Sequence, residues 1–208
     1  MKVGTKSVLF GAHQFLVHPW FVALAWWKLY GFPWDPRLWV AFFVHDLGYL
    51  GKPNMDGPEG EDHVWLGAEI CGRLFDADHV LAGPTARIVG GLCNRIWGQD
   101  PQGTSWFCLC FYHSRYKCKK YGATPSRLCV ADKLCIALTP AWLYMPLAWL
   151  TGELAEYMSG QGARTPAGDR SPRQWYRDVQ RYCRAWAMEH RDLRDDTWTG
   201  TIRDLARE

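Results

Sequence analysis

The sequence predicts an all-α fold, and three observations carry that expectation. Apolar residues recur at three- and four-residue intervals, the period of a helix. Pro19, Pro36, Pro84, Pro125 and Pro172 stand at the heads of such segments, where a missing N–H costs a helix nothing. No segment alternates polar and apolar residues convincingly enough to indicate a sheet.

A first helix is expected over Pro19–Tyr30, ended by Gly31 and Pro33. A second fits Pro36–Leu47, with Asp35 as N-cap. Residues 48–61 form a loop crowded with Gly, Pro, Asn and Asp. A third helix fits Asp62–Phe75, and a fourth runs from Pro84 to about Ile96. Gln99–Thr104 is a loop, and a fifth helix covers Ser105–His113. Thr124-Pro125 caps and starts a sixth that carries Asp132. More helix follows from Ala141 to about Met158, interrupted near Pro146.

Composition then shifts. Residues 159–173, SGQGARTPAGDRSPR, read as a flexible linker that separates a helical body, 1–158, from a C-terminal unit, 174–208. Ser171-Pro172 opens the last helix, whose apolar face (Trp175, Tyr176, Val179, Tyr182, Cys183, Trp186) docks on the core or on a second subunit. A charged tail from Arg191 is expected to fray.

With 208 residues, one domain is expected, and 48% hydrophobic content allows a core without staples. A net charge of +3 is too small for a general binder of duplex nucleic acid. The 13 Trp suggest a bulky core or aromatic-lined clefts. The eight Cys form no CxxC pair and are read as reduced, mostly buried thiols of a cytoplasmic protein. No secretory leader is read at the start, since Lys2 and Lys6 lead into a stretch with His13 and His18. Leu134–Leu150, 17 residues with two Pro, is short for a membrane span. It is read as buried helices with a break, a peripheral membrane contact being the lesser alternative.

Several helices aim a metal-capable side chain along an apolar face. His45 shares a face with Leu38, Ala41 and Phe42, and His18 with Val22, Ala25 and Leu29. His113 follows Trp106, Leu109 and Cys110, while Asp132 lies between Leu128 and Cys135. A buried carboxylate without a partner is costly, so Asp46 and Asp132 need partners. One inward His is usually a core residue bonded to a carbonyl. Their coincidence on successive helices favours a divalent cation, which satisfies imidazoles and carboxylates together. Asp46 would bind the same ion as His45 or bridge two.

At these residues the sequence resembles the HD-domain phosphohydrolase superfamily. VHDLGYLGKP (Val44–Pro53) is similar to its His-Asp-hydrophobic-Gly element, HPWFVALAW (His18–Trp26) to the helix carrying its first His, and CVADKLCIA (Cys129–Ala137) to its closing Asp. DHVWLGAEI, with His63 and Gly67, and FYHSR, with His113, resemble the elements of HD subfamilies with extra histidines, including the HD-GYP phosphodiesterases. The chain differs from HD-GYP proteins. Tyr49 replaces their Lys, with Lys52 three residues later; Tyr112-His113-Ser114 replaces their His-His-Glu; and no Gly-Tyr-Pro follows. Two histidines, His13 and His18, precede His45, and His18 is preferred because Val22 and Ala23 follow it.

The resemblance implies an HD-like helical bundle in residues 1–158. It implies one or two divalent ions (Mn, Fe, Co, Ni or Mg), the first held by His18, His45, Asp46 and Asp132, the second by His63 and His113 with Asp46 bridging. Similar small HD proteins of bacteria and bacteriophage point to a nucleotide phosphodiesterase or phosphohydrolase, with a cyclic dinucleotide as leading substrate. The alternatives are a nucleoside mono- or triphosphate hydrolase and a binding module without turnover. Asp46, Lys52 and His63 are the expected catalytic residues. Lys52, Arg115, Lys117, Lys119, Lys133 and Tyr49 are expected to bind substrate, and the loop Gly51–Asp62 to act as a lid. No membrane span is expected, and a homodimer is the oligomeric expectation.

Overall fold

The computed structural model describes residues 1–56, 58–78, 84–98, 103–158 and 171–198, and among them every regular element is a helix. In chain order these are α1 (Val3–Phe10), α2 (His18–Tyr30), α3 (Pro36–Val44), α4 (Pro58–Glu61), α5 (Val64–Phe75) and α6 (Pro84–Trp97). Then come α7 (Trp106–Phe111), α8 (Arg115–Tyr121), α9 (Arg127–Leu138), α10 (Ala141–Thr151), α11 (Glu153–Met158) and α12 (Pro172–His190).

Local chemistry sets the helix starts. Asp35 accepts the N–H of Arg37 at 2.9 Å, and Pro36 follows at the first helical position. Ser126, rather than Thr124, caps α9 by accepting the N–H of Cys129 at 3.1 Å. Ser171 caps α12 in the same way.

α9 is the central helix. It is buried on most sides, from Leu128 through Ala137, and α2 and α12 both pack on it. α5 packs on α7 and against α3, which extends one core through Phe42, Val64, Trp106 and Leu109. Phe42 is fully buried, so truncation to Ala would cost about 3–5 kcal/mol. α12 docks on the core as its apolar face requires. Its Tyr176 hydroxyl reaches the carbonyls of Ile136 at 3.0 Å and Thr139 at 2.9 Å, at the end of α9 where the helix leaves acceptors unpaired.

Some expectations are corrected. Helix α3 stops at Val44, and a 3-10 turn, Leu47–Tyr49, follows His45 and Asp46. The break expected near Pro146 falls at Gly152, whose φ of 89° suits a residue without Cβ, while Pro146 rides inside α10. The stretch expected to be buried divides, with α9 buried and much of α10 exposed. The loop read as a lid is anchored, since the N–H groups of Met55 and Asp56 donate to Glu156 at 2.8 and 2.9 Å. The tail folds back through Asp196, whose side chain is 2% exposed. Residues 159–170 of the expected linker and 199–208 of the tail lie outside the described residues.

Candidate metal centre

Six side chains converge from five places in the chain. His18 opens α2, His45 and Asp46 follow α3, His63 precedes α5, His113 follows α7 and Asp132 lies mid-way along α9. All six are buried, the most open at 7%. His18, His45, Asp46 and Asp132 form one group whose ligand atoms lie within 4.8 Å of one another, and Asp46, His63 and His113 form another.

Asp46 belongs to both groups through different oxygens. Its Oδ2 lies 3.3 Å from His18 Nε2 and 3.4 Å from His45 Nε2. Its Oδ1 lies 3.3 Å from His113 Nε2 and 3.5 Å from His63 Nε2. Asp132 Oδ1 completes the first group, 3.2 Å from His18 Nε2. The other oxygen of Asp132 accepts from Lys133 Nζ at 3.1 Å, so the lysine neutralises the outer side of that carboxylate.

The backbone sets the tautomers of three rings. His45 Nδ1 donates to the Phe42 carbonyl at 2.9 Å, His63 Nδ1 to Gly60 at 2.7 Å, and His113 Nδ1 to Cys110. In the neutral rings each Nε2 then carries a lone pair. In the second group two such lone pairs meet, with His63 Nε2 2.9 Å from His113 Nε2; in the first, His18 Nε2 lies 3.3 Å from His45 Nε2. Asp46 Oδ2 is buried and accepts no hydrogen bond despite its two close imidazoles. Converging lone pairs and an unsatisfied carboxylate oxygen call for added positive charge. Imidazole and carboxylate donors of this kind fit a divalent transition metal in both groups.

The electrostatics of the two groups differ. Burial alone would raise the Asp46 carboxyl, yet His45, His113 and His18 hold it well below the usual range. Burial would likewise raise Asp132, and Lys133 with His18 and His45 hold it well down. His45 is pushed up to about 9: burial opposes this, but the Asp46 and Asp132 carboxylates together outweigh it. His18 also goes up against burial, through Cys135, Asp132 and Asp46. His63 moves the other way, pushed well down by burial and by His113.

Two close backbone approaches assemble the site. A Cβ on Gly48 would fall 1.8 Å from the His63 carbonyl oxygen, so the turn after Asp46 presses on the chain carrying His63. A Cβ on Gly67 would lie 2.7 Å from His45 Cα, so α5 crosses the end of α3 at a glycine.

The other sequence-derived candidates fare unevenly. His13, the alternative first His, is held by Glu153 at 3.0 Å and Ser7 at 3.1 Å, its ring 5.4 Å from that of His18. It borders the cluster without joining either group. Tyr49 stacks on the His63 ring, 3.9 Å between centroids and 9° between planes, and so braces a ligand. Lys52 is half-buried, and its charge acts on Glu59 and Asp62.

The basic run is redirected. Arg115 makes a two-pronged pair with Asp196 at 2.7 and 3.0 Å and reaches the Tyr182 hydroxyl, which commits the guanidinium fork expected for phosphate. Lys117 is buried and paired with Asp62. Lys119 donates to the Trp198 carbonyl at 2.6 Å and lies 3.5 Å from Asp196. For Arg115 and Lys119 the cause is the returning C-terminal segment, whose Asp196 carboxylate attracts them, and for Lys117 it is Asp62 ahead of α5.

Sequence reasoning missed Glu153, which is fully buried and accepts from Thr151, Ala12 and His13. Its signal was an acid one residue past the Gly that ends a long apolar stretch. Glu61, at the end of the loop read over residues 48–61, is buried and accepts the Ser114 hydroxyl at 2.6 Å beside His113.

Comparison with protein-family models, with curated proteins and with solved structures finds no match to this chain.

Proposed function

We propose that this chain is a metal-dependent phosphohydrolase of HD type, acting on a phosphoester of a nucleotide. The observation that carries the reading is the divided Asp46 carboxylate, one oxygen in each of two imidazole-rich groups. That is the donor pattern of a dinuclear centre, and hydrolysis at phosphorus is the chemistry such centres serve. The motif resemblance at His18, His45-Asp46 and Asp132 supports the same reading.

A divalent cation in these groups supplies charge neutralisation at the phosphoryl oxygens and a more acidic water. The chain's own residues do the rest. Asp46 would hold the two groups together through its two oxygens and orient the attacking water. The carbonyls of Phe42, Gly60 and Cys110 hold three imidazoles in the tautomer that presents Nε2 inward. Lys133 keeps Asp132 ionised, and Tyr49 fixes the plane of His63. The donor set of four imidazoles and two carboxylates favours Mn, Fe, Co or Ni over Mg.

The test is turnover of linear and cyclic nucleotides by the purified chain loaded with each metal, with products identified. Opening of a cyclic dinucleotide marks the leading substrate, whereas released phosphate or triphosphate marks a nucleoside phosphate hydrolase. Chelator should abolish either activity. A loaded chain that binds nucleotides and turns over none of the panel overturns the hydrolase reading.

A further inference from the structure

We propose that Cys135 is a positioning residue of the first metal group, its thiol holding the His18 ring so that Nε2 faces the ion. The inference deepens the metal-centre reading and rests on it. Four imidazoles serve the cluster, and backbone carbonyls orient three of them. The acceptors are Phe42, Gly60 and Cys110, each three residues before its ring and each in the last turn of a helix, α3, α4 or α7. A helix leaves its last carbonyls without intrahelical partners, so they are free to take an Nδ1–H.

His18 stands at the opposite kind of place. It is the first residue of α2, where the orphan backbone groups are N–H donors. An Nδ1–H there needs an acceptor from another element, and α9 supplies one. Cys135 Sγ lies 3.7 Å from His18 Nδ1. The same sulfur lies 3.9 Å from Oδ1 of Asp132, three residues earlier on α9. Together the two contacts set the direction of each bond. A carboxylate only accepts, so the S–H donates to Asp132. The sulfur then accepts the His18 Nδ1–H, which leaves the lone pair on Nε2. That Nε2 is the atom 3.2 Å from Asp132 Oδ1 and 3.3 Å from Asp46 Oδ2, inside the first group.

One thiol thus touches two ligands carried by different helices, and does for His18 what a carbonyl does for the other three rings. It acts from behind the site. Cys135 is buried, and its sulfur is not among the atoms that gather within 4.8 Å of one another. Outer partners of this kind fix the tautomer and orientation of a ligand, and losing one lowers metal affinity roughly 10–100-fold. A thiol is a weak hydrogen-bonding group, so the low end applies here.

Cobalt(II) titration of the purified full chain, read by calorimetry and by visible absorption, tests this with three variants. Cys135→Ala removes the polar atom, Cys135→Val removes it and restores apolar bulk, and Cys135→Ser supplies a hydroxyl that both donates and accepts. The first ion should bind about tenfold more weakly to the Ala and Val variants, with shifted d–d bands, while Cys135→Ser stays within about threefold of wild type. The second ion, at His63 and His113, should keep its affinity. Circular dichroism monitors folding, and should Cys135→Val not fold, Ala against Ser still separates a lost hydrogen bond from lost bulk. Unchanged first-ion affinity in Cys135→Ala overturns the proposal, and so do equal losses in the Ala and Ser variants. A sulfur-to-cobalt charge-transfer band in the wild type also overturns it, by making the thiolate a ligand. A wild type that takes up no cobalt defeats the metal-centre reading itself, and this proposal with it.

Discussion

The two halves of the metal cluster share one carboxylate, and beyond it they are built differently. The first half sets Asp46 and Asp132 against His18 and His45, two negative charges for two imidazoles. The second sets one oxygen of Asp46 against His63 and His113. The protonation tendencies follow. His18 and His45 are held up by their carboxylates, whereas His63 is pushed down by burial and its neighbouring ring. Without metal, His18 and His45 tend to keep protons and His63 resists one. The difference teaches which half draws a cation first, because affinity in such sites follows the ligand charge. The first half should fill first, and the second should depend on the remaining oxygen of Asp46.

The largest expected effect comes from the shared residue. Asp46→Ala should lose metal from both halves at once, taking an as-purified content near two ions to near none by elemental analysis. Helical content should remain, since Asp46 contributes charge rather than packing. A variant that kept one full equivalent would show that the halves are independent.

Next come variants that separate the halves. Asp132→Ala should abolish tight binding in the first half, lowering affinity by at least about 100-fold, beyond the 10–100-fold typical of losing a supporting residue. His113→Ala should leave one tight ion and remove the second. Equal loss in the two variants, measured by calorimetric titration, would erase the asymmetry. Both also test the hydrolase reading, because a dinuclear reaction should fail in the His113 variant although one ion stays.

The pH dependence sharpens the same contrast. His45 titrates near 9 without metal, above its ordinary value of 6.5. A raised imidazole stabilises the folded metal-free chain below its unfolded value, and that stability is lost as pH rises through the folded one. The metal-free melting temperature should therefore fall between about pH 7 and 9 if His45 dominates. Metal affinity should rise over the same window, about tenfold per pH unit for each proton displaced, and level off above it. An affinity that stays flat from pH 7 to 9 would mean that the first half holds no proton for the ion to displace.

Legibility in the sequence divides along similar lines. The helices could be read from their apolar spacing, and His18, His45, His113 and Asp132 from the apolar faces they continue, whereas Asp46 and His63 were read through the motif resemblance. His18 and Asp132, over a hundred positions apart, were found separately, each by its own local pattern. The cations expected to bind phosphate could not be placed this way. Arg115, Lys117 and Lys119 look like a solvent-facing basic run, and only the fold reveals Asp62 and Asp196 opposite them. Pairing between distant surface charges leaves no periodic trace. The exposure of α10 was hidden for the opposite reason, since an apolar helix reads the same whether its face is covered or open.

The smallest expected effect concerns a residue that touches no metal. Gly67 lies four positions after His63, and its missing side chain lets α5 cross the end of α3. Ala there would bring a methyl carbon to 2.7 Å from both His45 Cα and the Val44 carbonyl oxygen. Backbone on both sides cannot yield as a flexible side chain would, so the helices must separate by a fraction of an ångström. The expected cost is roughly 1–3 kcal/mol in a urea titration, typical of overpacking. Because His45 is displaced relative to His18 while His63 moves with α5, first-half affinity should drop before second-half affinity does. If Gly67→Ala instead loosened only the second ion, the crossing would position His63 rather than His45, and the first half would be the more tolerant of the two.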